Sequence, residues 1–199
     1  MKNKWYSDNR DLVKWSILIH LAKLTSAAKI LQIAYFRHDK FDPVEIDGEF
    51  FGIPTEVTSH FRDIHKIEGL SSQIGIHVFD MVFENRDEYL LQALSFMKSF
   101  ANERCIVFLD PDTGLEPAHP DLTHVLEKEI KRIWATLKID DILVFYQHQT
   151  NRNNKPWIEP KRSQLEMAIE APVGSVKIAH GMRLARDVAF FYVLQTFFT

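Results

Sequence analysis

Apolar positions recur at helical spacing early in the chain, at Leu12, Trp15, Ile19, Ala22 and Leu24, and predict a helix with Ser7 and Asp8 as caps. Residues 31–36 are β-rich and short, and read as a first strand. From 37 to 70 the pattern is mixed. His38 to Pro43 and Asp47-Gly48 have turn composition, and residues 56–65 put Val57, Phe61 and Ile64 on one helical face. Residues 74–79 read as a strand, and 88–100 as a helix with Leu90, Leu91, Leu94, Met97 and Phe100 inward. Residues 105–109 are continuously apolar and end in Asp110-Pro111, the pattern of a parallel strand buried on both faces. A helix over 122–137 carries Val125, Ile130, Ile133 and Trp134; a second buried run, 142–146, ends in Gln147-His148; a helix follows at 162–169.

Two more strands, 175–180 and 188–194, close the chain. They are too close for a helical crossover, which needs about ten or more residues, and so predict an antiparallel hairpin. Strands alternating with helices imply the α/β class. The expectation is a Rossmann-like, mostly parallel sheet with helices on both faces and a C-terminal antiparallel hairpin, forming one domain over 1–199.

Composition narrows the class without naming a chemistry. Of 199 residues, 46% are apolar and 26% charged, with a formal net charge of −3, which is ordinary for a globular protein and excludes a disordered tail. A lone cysteine, Cys105, excludes a disulfide scaffold and fits a reducing, cytoplasmic setting. No apolar run approaches the ~18–20 residues that span a bilayer, so no membrane partner is expected. Weak acidity offers no global attraction to nucleic acid but leaves room for a local basic groove.

Ligands of open α/β sheets bind beyond the carboxyl ends of the strands. Two strands end in polar runs there: Asp110-Pro-Asp-Thr-Gly-Leu-Glu116 and Tyr146-Gln-His-Gln-Thr-Asn-Arg152. The first is also ordinary turn chemistry, since Asp starts turns, Pro presets φ and Gly supplies positive φ. The nine histidines show no metal-ligand spacing. There is no GxGxxG, no P-loop and no Gly-x-Ser-x-Gly, and the first strand runs into Arg37-His38-Asp39 without a glycine.

Three segments together resemble class I S-adenosylmethionine (SAM)-dependent methyltransferases: Asp11-Leu-Val-Lys14-Trp15 on the first helix, the apolar strand ending in Asp110-Pro111, and the terminal hairpin. The nearest branch is similar to the large-subunit ribosomal-RNA adenine-N6 methyltransferases. Their Asp-Val-Leu-Lys-His run corresponds to residues 11–15, and their Asp-Pro-Pro-Tyr to Asp110-Pro111-Asp112-Thr113. The chain also resembles bacterial proteins that share an Asp-Arg-Asp-like start, Phe-Leu-Asp-Pro-Asp-Thr-Gly-Leu and Tyr-Gln-His, a likeness that brings no chemistry. The methyltransferase resemblance implies that Asp110 orients an acceptor amine and that Lys14 and Trp15 lie at the donor or a phosphate. Thr113 stands where the branch has its stacking tyrosine and cannot stack, so Tyr146 or Trp157 would supply the platform that an extruded base needs. The glycine-rich donor turn is missing, and no acid is recognised after a second strand to hold the donor's ribose.

Three functions follow as expectations. One is a methyltransferase-like protein acting on nucleic acid or a nucleotide, with a remodelled or lost SAM site. The alternative is a metal-dependent phosphodiesterase or nuclease: Asp110, Asp112 and Glu116 would bind a divalent metal, Mg²⁺ or Mn²⁺, His148 would be the general base, and Arg152 would stabilise phosphoryl charge. The third is a non-catalytic interaction protein that offers Phe190, Phe191, Tyr192, Phe197 and Phe198 to a partner.

Overall fold

The computed structural model describes residues 9–38, 42–61, 63–149, 151 and 155–196; Ser7, Asp8, Asp39, Arg152, Phe197 and Phe198 lie outside the described residues. In chain order the elements are α1 (Asn9–Thr25), β1 (Lys29–Ile33), β2 (Val44–Ile46), β3 (Glu49–Phe51), α2 (Thr55–Phe61), a 3₁₀ helix (Ile64–Gly69), β4 (Gly75–Phe79), α3 (Arg86–Lys98), β5 (Cys105–Leu109), β6 (Gly114–Leu115), β7 (His124–Val125), α4 (Glu127–Trp134), β8 (Ile142–His148), α5 (Ile158–Ala168), β9 (Lys177–Ala179) and β10 (Val188–Leu194). Six strands form one sheet in the order β4-β1-β5-β8-β10-β9. The first four of that order are parallel, and β10 is antiparallel to both β8 and β9. The expected α/β class and C-terminal antiparallel pair are therefore present. β10 is inserted beside β8, so the short β9 takes the edge.

Strand alternation builds two cores. On one face Ile30, Ile76, Ile106, Phe108, Ile142, Val144 and Phe190 pack under α1, which contributes Val13, Trp15, Leu18, Leu21 and Ala22. On the other, Leu31, Ile33, Val107, Leu109, Leu143, Phe145 and Phe191 pack against side chains of α3, α4 and α5. Burying a side chain such as Leu18 or Phe108, each with no exposed surface, stabilises the fold by about 1.5–3 kcal/mol. Phe190 and Phe191 are buried completely, which removes them from the proposed partner surface.

Several boundaries differ from the sequence expectation. The first strand ends at Ile33, because Tyr35 takes a left-handed φ of 45°; beyond it Phe36 pairs again in an isolated bridge to Val82. The helix expected over 122–137 is confined to Glu127–Trp134. Upstream of it, His124–Val125 pairs in parallel with Gly114–Leu115, and the Glu116 carboxylate accepts from the Glu127 amide at 2.7 Å, so the helix starts there. Residues 56–65 divide into α2 and the 3₁₀ helix, whose start is capped by Asp63 accepting from the His65 amide. α5 begins at Ile158, four residues ahead of the expected 162, with Pro160 tolerated in its first turn.

From β1 the chain goes first to β4 on one side and then returns past β1 to β5 on the other. The crevice beyond the carboxyl ends of β1 and β5 is thus the topological switch point, where open α/β sheets bind ligands.

Candidate functional site

Period-two alternation sends Gln32 of β1, Asp110 at the tip of β5 and Tyr146 of β8 to the face covered by α1. There Lys14, one helical turn from Asp11, reaches in. Its Nζ donates to Asp110 Oδ2 at 2.9 Å and to Asp11 Oδ1 at 2.6 Å. Gln32 Nε2 donates to the same Asp110 oxygen at 2.7 Å. The ammonium lies 5.5 Å from the Tyr146 ring centroid and 5.9 Å from that of Phe108, within cation–π range. Lys14, Asp11, Gln32, Asp110 and Tyr146 are all buried.

One ammonium is thus shared by two carboxylates in a nearly dry site. Burial alone would lower the Lys14 pKa, but the charges of Asp110 and Asp11 outweigh it and hold the amine protonated well above the ordinary lysine range. Burial raises the Asp110 carboxyl above its ordinary value, with the Lys14 charge opposing. Burial likewise raises the Tyr146 hydroxyl, so the phenol stays neutral. Gln32 has its amide nitrogen on Asp110, and its Oε1 is buried with no hydrogen-bond partner. The reverse orientation would set that oxygen against a carboxylate, so the acceptor stays unfilled either way. An orphaned buried acceptor costs about 1–3 kcal/mol, and a donor from a ligand would relieve it.

The remaining sequence candidates have separate partners. Asp112 is paired with Arg37, whose Nε donates to it at 3.1 Å. Glu116 caps α4, and its backbone oxygen accepts from Lys161 at 2.9 Å. His148 has Nε2 at 3.1 Å from Asp187 and Nδ1 at 2.9 Å from the Gln149 carbonyl oxygen. Asp187 is also paired with Arg10, which lowers its pKa although burial works the other way. Among the described residues, no three His, Cys, Asp or Glu side chains gather to hold a metal ion, so Asp110, Asp112 and Glu116 do not form a cation cage. Trp15 packs edge-on against Phe108 in the α1 core, and Trp157 packs on the opposite core, away from Lys14.

The chain matches no protein-family model and no curated protein. Its reading therefore rests on the geometry.

Three contributors escaped the sequence reading. Gln32 was signalled as the single polar residue inside an apolar run. Asp187 stands just ahead of the last strand. Asp80 is an acid after a second strand, where none was recognised from the sequence: β4 is the parallel neighbour of β1, and Asp80 is the residue after its end. Its side chain is 45% exposed and Oδ2 lies 3.0 Å from His65 Nε2. In dinucleotide-binding sheets an acid at the tip of the strand beside β1 takes the ribose hydroxyls.

The turn after β1 differs from that pattern. Tyr35 holds the left-handed conformation that glycine ordinarily supplies, its amide donates to Tyr89 Oη at 2.7 Å, and its ring packs 5.1 Å from those of Phe83 and Tyr89. Aromatic side chains line the place where a glycine turn would admit a phosphate or donor backbone.

Proposed function

We propose that this chain is a methyltransferase-like protein acting on an exocyclic amine of a nucleic acid or nucleotide, with a remodelled donor turn. The observation that carries this reading is the Lys14–Asp110–Gln32 cluster at the switch point, with the Gln32 acceptor unfilled. An amine presents two N–H donors; Asp110 and Gln32 present carboxylate and amide oxygens at adjacent strand tips. Lys14 fixes the carboxylate and its charge opposes the burial that raises the Asp110 pKa, and the neutral Tyr146 ring walls the same site. The residues fit the nucleoside end of SAM, because Asp80 offers a partly exposed carboxylate beside β1 for a ribose diol. They do not supply the usual glycine turn, so the remainder of the donor would lie differently. When bound, SAM supplies an electrophilic methyl group. What the chain contributes is orientation of the amine by Asp110 and Gln32.

Isothermal calorimetry with SAM tests the reading. Wild-type protein should bind it, Asp80→Asn should bind at least about tenfold more weakly, and Asp110→Asn should keep donor binding while losing methyl transfer to adenine-containing oligonucleotides. Absence of heat at about 1 mM SAM would overturn the proposal.

A further inference from the structure

The segment joining β9 to β10 has no part in the cluster above, yet it packs beside it. Gly181 lies against Val13 of α1, so closely that a Cβ there would stand 2.5 Å from Val13 Cγ1. Lys14 is the next residue along α1. Ala185 is buried, and the Leu184 amide closes a turn onto the Gly181 carbonyl at 3.0 Å. The loop is therefore anchored rather than loose.

Its outer side is basic and apolar. His180, Met182, Arg183, Ala185 and Arg186 line a cavity of about 360 Å³. Among the described residues neither Arg183 nor Arg186 has an ion-pair partner, and both are exposed. The nearest acid in sequence, Asp187, is engaged by Arg10 and His148. Met182 is 73% exposed and Leu184 60%. Two unpaired guanidinium groups with an imidazole, on a chain of net charge −3, suit phosphate anions, which arginine binds through paired N–H donors. Exposed apolar side chains between them suit base faces.

We infer that the β9–β10 loop binds the phosphodiester backbone of a single-stranded polynucleotide through Arg183 and Arg186. This deepens the reading above and rests on it for the choice of a polynucleotide: the loop flanks the helix that carries Lys14, so phosphates held there bring a base toward Asp110. Two arginines are few for an anionic membrane, where stable attachment takes a larger basic cluster or a lipid chain.

Fluorescence anisotropy with labelled single-stranded 12-mers, in RNA and DNA forms, tests the inference. The wild type should bind at 0.1 M salt. Arg183→Ala/Arg186→Ala should weaken binding at least about tenfold and make the log–log salt slope shallower by about 1.4, the value for two phosphate contacts on a single strand. Arg183→Lys/Arg186→Lys should keep most of the slope. Circular dichroism should show the same melting for all, since both side chains are on the surface. Unchanged affinity in the alanine variant would overturn the inference. So would competition by inorganic phosphate or AMP as effective, per phosphate, as the 12-mer, or binding to anionic vesicles without binding to oligonucleotide. SAM calorimetry on the alanine variant separates the two readings. Arginine-dependent oligonucleotide binding without donor binding removes only methyl transfer; donor binding with arginine-independent oligonucleotide binding removes only the loop's role.

Discussion

The side-chain amide of Gln147 lies flat against the backbone of Gly114, where a Cβ would stand 2.5 Å from Gln147 Cδ. Gln147 is fully buried; its Oε1 accepts from the Leu115 amide at 2.9 Å and its Nε2 donates to the His148 carbonyl at 2.8 Å. Together with the Nε2 hydrogen bond to the Thr113 carbonyl, this contact clamps residues 113–115 onto β8. Gly114 also has φ of 130°, which side-chain-bearing residues rarely adopt. Gly114→Ala should therefore destabilise by about 2–4 kcal/mol, combining overpacking with backbone strain. Urea unfolding measures it, and a loss under about 0.5 kcal/mol would show that the clamp is slack.

Lys14 and Asp110 form a buried ion pair with Asp11 as a third member. Removing one partner from such a pair costs about 3–5 kcal/mol, mostly by leaving a charge uncompensated. Lys14→Met should fall in that range and Asp110→Asn somewhat below it. The double variant should cost at least about 1 kcal/mol less than the sum. Denaturant midpoints of the four proteins give the coupling, and additivity would mean that the pair does not interact.

The alkaline limb of stability should be steep. Burial raises the Cys105 thiol from 9.0 to about 11. Burial also raises the hydroxyls of Tyr35, Tyr89 and Tyr146 above 10.0, and the acidic neighbours of Lys14 raise its amine above 10.5 despite burial. In every case the folded chain keeps a proton that the unfolded chain releases. Stability from these groups is whole below about pH 9 and is lost as pH rises beyond it. The urea midpoint should fall between pH 8 and pH 10.5, with the tyrosinate absorbance of Tyr35, Tyr89 and Tyr146 appearing only on unfolding, and Cys105→Ala should delay the onset. A midpoint flat across that interval would contradict the burial of these groups.

Asp110 produces the opposite trend to an ordinary paired carboxylate. Its folded pKa is raised above 3.8, so the folded chain takes up its proton first as pH falls. Between the folded value and 3.8, stability from this group rises with acidification, and it is lowest above the folded value. Asp110→Asn should remove that rise from the difference in urea midpoint between neutral and mildly acidic solution, whereas Asp112→Asn should leave it in place.

Much of the sheet was legible because both-face burial leaves continuous apolar runs: 105–109 and 142–146 match β5 and the start of β8, and 188–194 matches β10. The interval 37–70 was not. β2 and β3 are three residues each and wholly exposed, with no core face to impose a period, and the 3₁₀ helix has one fully buried side chain, Ile64. The helix at 122–137 was overestimated because its start depends on Glu116, eleven residues away, and on a pairing with Gly114–Leu115. Lys14 and Asp110 were recognised by resemblance. Asp112, Glu116 and His148 were grouped with Asp110 by residue type, and the fold gives each a different partner.

Local chemistry in the chain determined which segments are strands and helices and which side of each is apolar, because those properties follow from steric preference and from a period of two or 3.6 residues. Tertiary packing alone decided that Lys14 meets Asp110 across 96 positions, that Gln32 joins them, and that Asp80 stands at the tip of the strand beside β1. Strand order and register are set by how two cores fill on opposite faces of the sheet, and no local pattern encodes which polar side chains that filling brings together.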